Sequence, residues 1–336
     1  MKTQVRPSTP DDGPAIVALM REAGLHPDAT PERLHWKYWQ ERQDCPGMRS
    51  FVVAAGSEIL AHSGMIPGAC LWDGHRATVI HMLDWAASSR KVGAGVALLK
   101  YLRGLADALI GVGGSRYTRQ ALPLVGFRDA GATTSYVRIL RPWVDAGEGA
   151  PWDWKTLPRM GRDALWAATA PRVERGPWRS VRLQGGEVQR VAPALPRPRA
   201  GMTVFERSVA SISFFLQCPI ARMTLHGMEK DGVLQGYYLL AFVSGQARLV
   251  DSWMTSDEPG DWKALIHCAA ASARQAPGVG RLFALASDEI FGQCLRESGF
   301  HARRSDPVQI LPRAGLEAVP SRLRFQMVDS DAAFLL

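Results

Sequence analysis

The segment Arg90-Lys91-Val92-Gly93-Ala94-Gly95 has the residue types and spacing best suited to chemistry in this 336-residue chain. It joins a run of strand character, Ala77–Trp85, to one with apolar residues at helical spacing, Val92–Leu105. Gly93 and Gly95 lack β-carbons, so the backbone can turn tightly and converge successive amide N–H groups on one anion. The helix that follows aims its positive end at the same point, and Arg90 and Lys91 add charge at the rim. This is a phosphate cradle. Two other cradles are excluded. No Gly-Lys-Ser/Thr follows, as a mononucleotide P-loop requires, and Leu98 stands where the dinucleotide fingerprint needs a third glycine.

Two titratable residues precede the cradle on the strand. Asp84 lies near its end and is the first candidate for a proton acceptor; the competing reading is a carboxylate that ties off the strand by hydrogen bonds. His81, three residues earlier, falls on the opposite face by strand alternation unless a bulge intervenes, and a hydrogen-bonded core histidine is the plainer reading. The five cysteines (45, 70, 218, 268 and 294) form no Cys-x-x-Cys pair and no ligand spacing with a histidine. Buried reduced thiols are expected, with no metal site.

The elements that must position these residues alternate. A strand near Gln4–Arg6 leads to a helix starting at Asp11-Asp12, and a second helix starts at Pro31. Phe51–Ala55 and Glu58–Met65 flank Gly56-Ser57 as a hairpin, and Asp73-Gly74-His75 reads as another tight turn. After the cradle come a strand at Ala108–Val112, a helix at Tyr117–Leu124 closed by Gly126-Phe127, and a strand at Thr133–Leu140. Residues 142–198 hold five of the eleven tryptophans and many prolines, which suggests a connector packed on a domain, with one helix at Trp154–Thr169. From 199 the plan repeats: strands at Met223–Met228, Leu234–Val243 and Ala247–Met254, then helix, strand and helix up to Gly299-Phe300. Asp84-Trp85 with Gly126-Phe127 is echoed by Asp251-Ser252-Trp253 with Gly299-Phe300, at separations of 42 and 48 residues. Two divergent copies of one α/β unit account for this pattern.

Composition narrows the function. The hydrophobic fraction of 46% with 21% charged residues is that of a folded protein, and no apolar run reaches the ~20 residues of a membrane span. The opening residues lack the apolar core of a signal peptide, so the cytoplasm is the expected compartment. Net charge is +8, dispersed rather than gathered in a patch, which argues against nucleic acid as a partner. Residues 1–141 carry 17 basic and 12 acidic side chains, and residues 199–336 carry 14 of each. The surplus therefore lies in the copy with the cradle, as a small phosphate-bearing ligand would favour.

Arg90, Gly93 and Gly95 resemble the pyrophosphate motif Arg/Gln-x-x-Gly-x-Gly/Ala of the GNAT superfamily of acyl-CoA-dependent N-acyltransferases, and Gly126-Phe127 resembles its closing signature. The resemblance covers residues 1–141 and continues more faintly over 199–336. It implies two GNAT-like α/β domains, each a mixed, mostly antiparallel central sheet flanked by helices, joined by the connector 142–198. It also implies acetyl-CoA or another acyl-CoA as co-substrate and a small-molecule amine, such as an amino sugar, as acceptor. The pyrophosphate would bind the amides of Val92, Gly93, Ala94 and Gly95 with Arg90 and Lys91 at the rim, and the pantetheine would pair along Trp85, Ala86 and Ala87. The amine would attack the thioester with an N–H donor on the oxyanion. Many members place a tyrosine four residues before the closing glycine to protonate the thiolate. Leu122 stands there, and Leu295 in the second copy. Tyr117 is the nearest substitute; otherwise the thiolate leaves unassisted or takes its proton from water.

The second copy reads Asp257-Glu258-Pro259-Gly260-Asp261 where the cradle should be, and three carboxylates repel a pyrophosphate. It is expected to shape the structure or the acceptor site, with Tyr237, Tyr238, His226 and Asp251 as pocket candidates. Two other functions stay open: a non-catalytic CoA-responsive scaffold, and an aminoacyl-tRNA-dependent transferase of similar fold. The intact cradle and the absence of a basic patch weigh against the tRNA reading.

Overall fold

The computed structural model describes residues 3–25, 30–45, 47–72, 75–144, 156–171, 176–197, 199, 201–313 and 322–333. The expected turn residues Asp73 and Gly74, the start of the connector helix at Trp154, and Trp152 lie outside them.

The first unit runs β1 (Gln4–Pro7), α1 (Gly13–Glu22), α2 (Pro31–Leu34), β2 (Ser50–Ala55), β3 (Glu58–Trp72), β4 (His75–Ala87), α3 (Ala94–Leu102), β5 (Ala108–Val112), α4 (Arg116–Leu124) and β6 (Arg128–Ile139). The connector contributes α5 (Thr156–Thr169) and β7 (Arg179–Leu183). The second unit runs β8 (Thr203–Val204), α6 (Val209–Leu216), β9 (Arg222–Lys230), β10 (Val233–Val243), β11 (Gln246–Met254), α7 (Pro259–Gln275), β12 (Arg281–Ala286), α8 (Glu289–Glu297), β13 (His301–Pro312) and β14 (Leu323–Arg324). This is a mixed α/β fold whose central sheet is mostly antiparallel.

The two units share one sheet. Its twelve strands run β1-β2-β3-β4-β5-β13-β6-β12-β11-β10-β9-β7, with β8 and β14 as a separate pair. The closing strands are exchanged: β13 of the second unit pairs with β5 of the first, and β6 of the first pairs with β12 of the second. The expected strand Thr133–Leu140 therefore does not close its own unit. At the boundary itself, the Leu140 and Arg141 amides both donate to Gly280 O. Val308 and Ile310 on the exchanged β13 are fully buried, so the exchange carries part of the core.

The repeat is legible in the pairing. β4 and β5 are parallel only over Val79–His81 and Ala108–Ile110, and β11 and β12 only over Gln246–Leu249 and Arg281–Ala284. Beyond those residues each pair parts. A bulge sits beside each key aspartate, at Asp84-Trp85 opposite Ser63 and at Val250 next to Asp251.

Candidate functional site

The parting of β4 and β5 opens a cleft of about 670 Å³, lined on one side by Met82–Ala87, on the other by Gly111–Ser115, and roofed by α1 and α4. The cradle lies just beyond the end of β4. Gly93 has φ +88°, a left-handed conformation that L side chains rarely adopt, and space around its missing β-carbon is open to 4 Å. Gly95 serves a different need. A β-carbon there would come within 3.0 Å of Ala87 Cβ and 3.1 Å of the Trp85 ring, so glycine lets α3 seat directly on β4. The first intrahelical bond of α3 is Ala97 N–H to Gly93 O, which leaves the Gly95 and Val96 amides without intrahelical partners. Arg90 and Lys91 are exposed at the rim, and Val92 is 96% exposed. Arg90 is held only loosely, 3.5 Å from Glu22 and 3.8 Å from Glu58.

These features fit a diphosphate ester. Trp85 Nε1 adds an orphaned donor, buried in the cleft wall with no hydrogen-bond partner. A second glycine turn lines the β5 side of the cleft. Gly113 and Gly114 have φ +70° and +85°, and Ser115 caps α4 by accepting from the Thr118 amide. The sequence signal for it is a glycine pair followed by a capping serine directly after a strand.

Asp84 sits at the bulge with φ +47°. Its Oδ2 accepts from Tyr38 Oη at 2.6 Å and pairs with Lys37 Nζ at 2.5 Å. Burial acts to raise its carboxyl, but the Lys37 charge and the hydrogen bonds from Lys37 and Tyr38 outweigh it and hold the group below the usual carboxylate range. Neither partner was visible in the sequence, where they lie more than forty positions away. They project from a π-helical turn, His35–Trp39, and the carbonyls of Trp36 and Lys37 within it and of Gln40 that caps it all accept from the buried Arg49 guanidinium. Gly64 makes the approach possible, since a β-carbon there would fall 2.6 Å from the Tyr38 ring. The second unit braces the same turn, with Phe214 of α6 stacked on Trp36 at 4.9 Å. A hydrogen-bonded chain fixes the backbone beneath. Trp39 Nε1 donates to Ser8, Ser8 to Ser50, Ser50 meets His62 Nε2 at 3.0 Å, and His62 Nδ1 meets Asp84 O at 3.2 Å. These roles are mutually consistent when His62 carries its proton on Nδ1.

The other expected proton carriers lie elsewhere. His81 does not line the cleft; it faces away, 3% exposed, edge-on to Phe205 at 4.4 Å. Burial, with Arg207 nearby, pushes its pKa down to about 3, so it stays neutral and packs the core. The bulge lies beyond His81 and does not bring it round. Tyr117 is at the cleft mouth, 82% exposed, and Leu122 is buried in the floor near Gly111.

In the second unit the four pocket candidates separate. Asp251 and Tyr237 are buried with Arg207 and Asp329: Tyr237 Oη donates to Asp251 Oδ2 at 2.8 Å, and Arg207 bridges both carboxylates. A carboxylate at the bulge with a cation and a tyrosine hydroxyl thus occurs in both units. His226 lines a different cavity and stacks on Tyr238, which is fully buried beneath it. Gly260 lacks the left-handed conformation of Gly93. Between β11, α7 and α8 the space is packed by Trp253, Trp262 and Phe291, with the Arg324 guanidinium 4.1 Å over the Trp262 ring. Only the first unit has an open cleft beside a glycine cradle among the described residues.

No protein-family model and no curated protein matches the sequence. Solved structures do match. A Saccharomyces cerevisiae N-myristoyltransferase with bound myristoyl-CoA superimposes with TM-score 0.60 at 12% identity, covering 99% of this chain and 89% of that one. A GCN5-related N-acetyltransferase from Anabaena variabilis gives 0.58 at 10% identity, over 92% and 72%. Another from Sphaerobacter thermophilus gives 0.53 at 14%, over 92% and 95%. The chain has the GNAT fold, arranged as two units on one sheet. No described helix is long and apolar enough to cross a membrane.

Proposed function

We propose that this protein is an acyl-CoA-dependent N-acyltransferase that uses acetyl-CoA to acylate the amine of a small molecule, with amino sugars among the acceptors to test. One observation carries the reading: parallel strands part beside a left-handed glycine turn that starts a helix. The Val92, Gly93, Gly95 and Val96 amides would hold the diphosphate, since the Ala94 amide already donates to Lys91 O, with Arg90 and Lys91 neutralising it. The free edge of β4 at Trp85–Ala87 would pair with the pantetheine amides and direct the acyl group toward Leu83, Asp84 and Gly111.

The amine nitrogen then attacks the thioester carbonyl, the C–N bond forms, and the C–S bond breaks to release thiolate. Positioning supplies much of the acceleration. Asp84 is a weak base while Lys37 neutralises it. A weak base suffices once the C–N bond has formed, because the nitrogen is then far more acidic than a free ammonium. The thiolate takes its proton from water, since Leu122 cannot donate and Tyr117 is exposed.

A non-catalytic CoA-binding role is the second reading, favoured by Leu122 and by the occurrence of the Asp84 arrangement in the unit without a cradle. Thiol release separates them. The purified protein is assayed with acetyl-CoA and, because one neighbour holds it, myristoyl-CoA, against a panel of amino sugars, amino acids and polyamines. Amine-dependent release of CoA supports the enzyme. Saturable CoA binding without release under every pairing supports the scaffold, and no binding overturns both.

A further inference from the structure

A second cavity of about 680 Å³ lies on the face of the second unit where β7, β9 and β10 meet the C-terminal half of α7. Cross-strand register builds its floor. Arg182, His226 and Tyr238 are successive partners across β7, β9 and β10, and Arg222 is partnered with Phe242 on the same face, further along the β9–β10 pair. Arg179, Arg182 and Arg222 line this cavity, no aspartate or glutamate does, and none of the three arginines forms an ion pair among the described residues. Three arginines without an ion pair thus converge, two from the connector strand β7 and one from β9 of the second unit. Asp261, which sits behind the Trp178 wall, is occupied by the Trp178 indole N–H at 2.8 Å.

The polar members of the rest of the lining, Ser180, Ser272, Thr224 and His226, are preorganised around the buried Tyr238. Tyr238 Oη lies 2.6 Å from Ser180 Oγ and 2.8 Å from Ser272 Oγ, which links β7 to α7 through hydroxyls. His226 lies flat on the Tyr238 ring at 4.7 Å, with Nε2 on Thr224 Oγ1 at 3.1 Å. Burial, reinforced by Arg182, pushes its pKa down to about 4, so it adds no competing charge of its own at neutral pH. The Arg222 guanidinium is 4.0 Å over the Phe242 ring, which holds its planar fork in place.

We infer that this cavity is a second ligand site, which takes a small organic phosphate and is independent of the acyl-CoA cleft. Donors approach from two strands and a helix, an arrangement that suits a tetrahedral dianion better than a planar carboxylate. Phe242 and Trp178 offer flat apolar surface to the organic part. The site cannot deliver an acceptor to the thioester. Five strand spacings separate β10 from β5 and seven separate β7 from it, roughly 24–34 Å along the sheet. Its ligand is therefore an effector or a tethering group.

Phenyl phosphate, inorganic phosphate and benzoate serve as probes, titrated calorimetrically into the full-length protein held in saturating acetyl-CoA, with the His226 ring protons followed by NMR. Saturable binding of phenyl phosphate is expected, tighter than phosphate and than benzoate, with a shift of the His226 signals. Arg182→Ala and Arg222→Ala, both at exposed positions without a carboxylate partner, should each weaken it about tenfold or more while leaving the melting temperature unchanged. Arg90→Ala should leave it unchanged. Absence of saturable binding, equal binding to the arginine variants, or loss of binding in Arg90→Ala would overturn the inference; the last result would mean that the probe reports the cradle.

Discussion

Substituting Gly93 by aspartate tests the cradle where its geometry is most specific. The position has φ +88° and no atom within 4 Å of where a β-carbon would stand, so a side chain meets no clash and projects into the space proposed for the diphosphate. An L residue in left-handed conformation costs about 1–2 kcal/mol, and aspartate is among the residues that tolerate it best. Relative to glycine, an aspartate N-cap returns only a few tenths of a kcal/mol. Folding stability should thus fall by no more than about 2 kcal/mol. Binding should weaken by a separate effect. A carboxylate about 5 Å from two diphosphate charges repels them by roughly 2 kcal/mol at an effective dielectric constant of about 60. That corresponds to a rise in Kd for CoA of about thirtyfold. Calorimetric titration of CoA into parent, Gly93→Ala and Gly93→Asp proteins separates charge from strain. The alanine variant should stay within about threefold of the parent, and the aspartate deficit should shrink as salt is raised, since screening weakens it. An aspartate variant that binds CoA as the parent does, with both proteins folded, would refute the cradle.

Four further outcomes are expected. Asp84→Asn strands the Lys37 charge and should cost about 3 kcal/mol of stability with a fall in kcat of about a hundredfold. Adding Lys37→Met should restore much of the stability but not the rate, and full activity in either variant removes Asp84 as proton acceptor. Stability should fall on acidification, because His62 and His226 have pKa values pushed down to about 4 and His81 to about 3, all below the unfolded 6.5. The folded state binds fewer protons than the unfolded between pH 6.5 and about 4, so that stabilisation is present above 6.5 and lost as pH drops. Asp329, raised to about 6 chiefly by burial, opposes this with stability that is present at low pH and lost above about 6. The net urea midpoint should decline from pH 6.5 to 4.5, and a flat profile contradicts the burial of these rings. Ile310→Ala, at a fully buried position on the exchanged strand, should cost about 2–5 kcal/mol. Calorimetry should show both units melting in one transition, whereas a second transition left at its parental temperature would mean that β13 does not couple them.

Local features were legible in the sequence. The cradle, the helix that follows it and the repeat around Asp84 and Asp251 could be read because glycine spacing and apolar period act over a few residues. What escaped depends on contacts distant in sequence. Nothing near Asp84 announces Lys37 and Tyr38, because their approach rests on a π-helical turn held by Arg49 and on the missing β-carbon of Gly64. The exchange of β6 and β13 is equally silent, since each strand has the same alternation whichever partner it takes. The pairing of Arg207 with the buried Asp329 is silent too, since 122 positions separate them.

The proposed function places acyl-CoA in the first unit alone, between β4 and β5. A crystal structure of the full-length protein with acetyl-CoA decides this. The diphosphate is expected on the amides between Val92 and Val96, the pantetheine along Trp85–Ala87, and the thioester carbonyl in the gap near Asp84 and Gly111. Acetyl-CoA bound in the second unit, or a cleft left empty at saturating ligand, would contradict it.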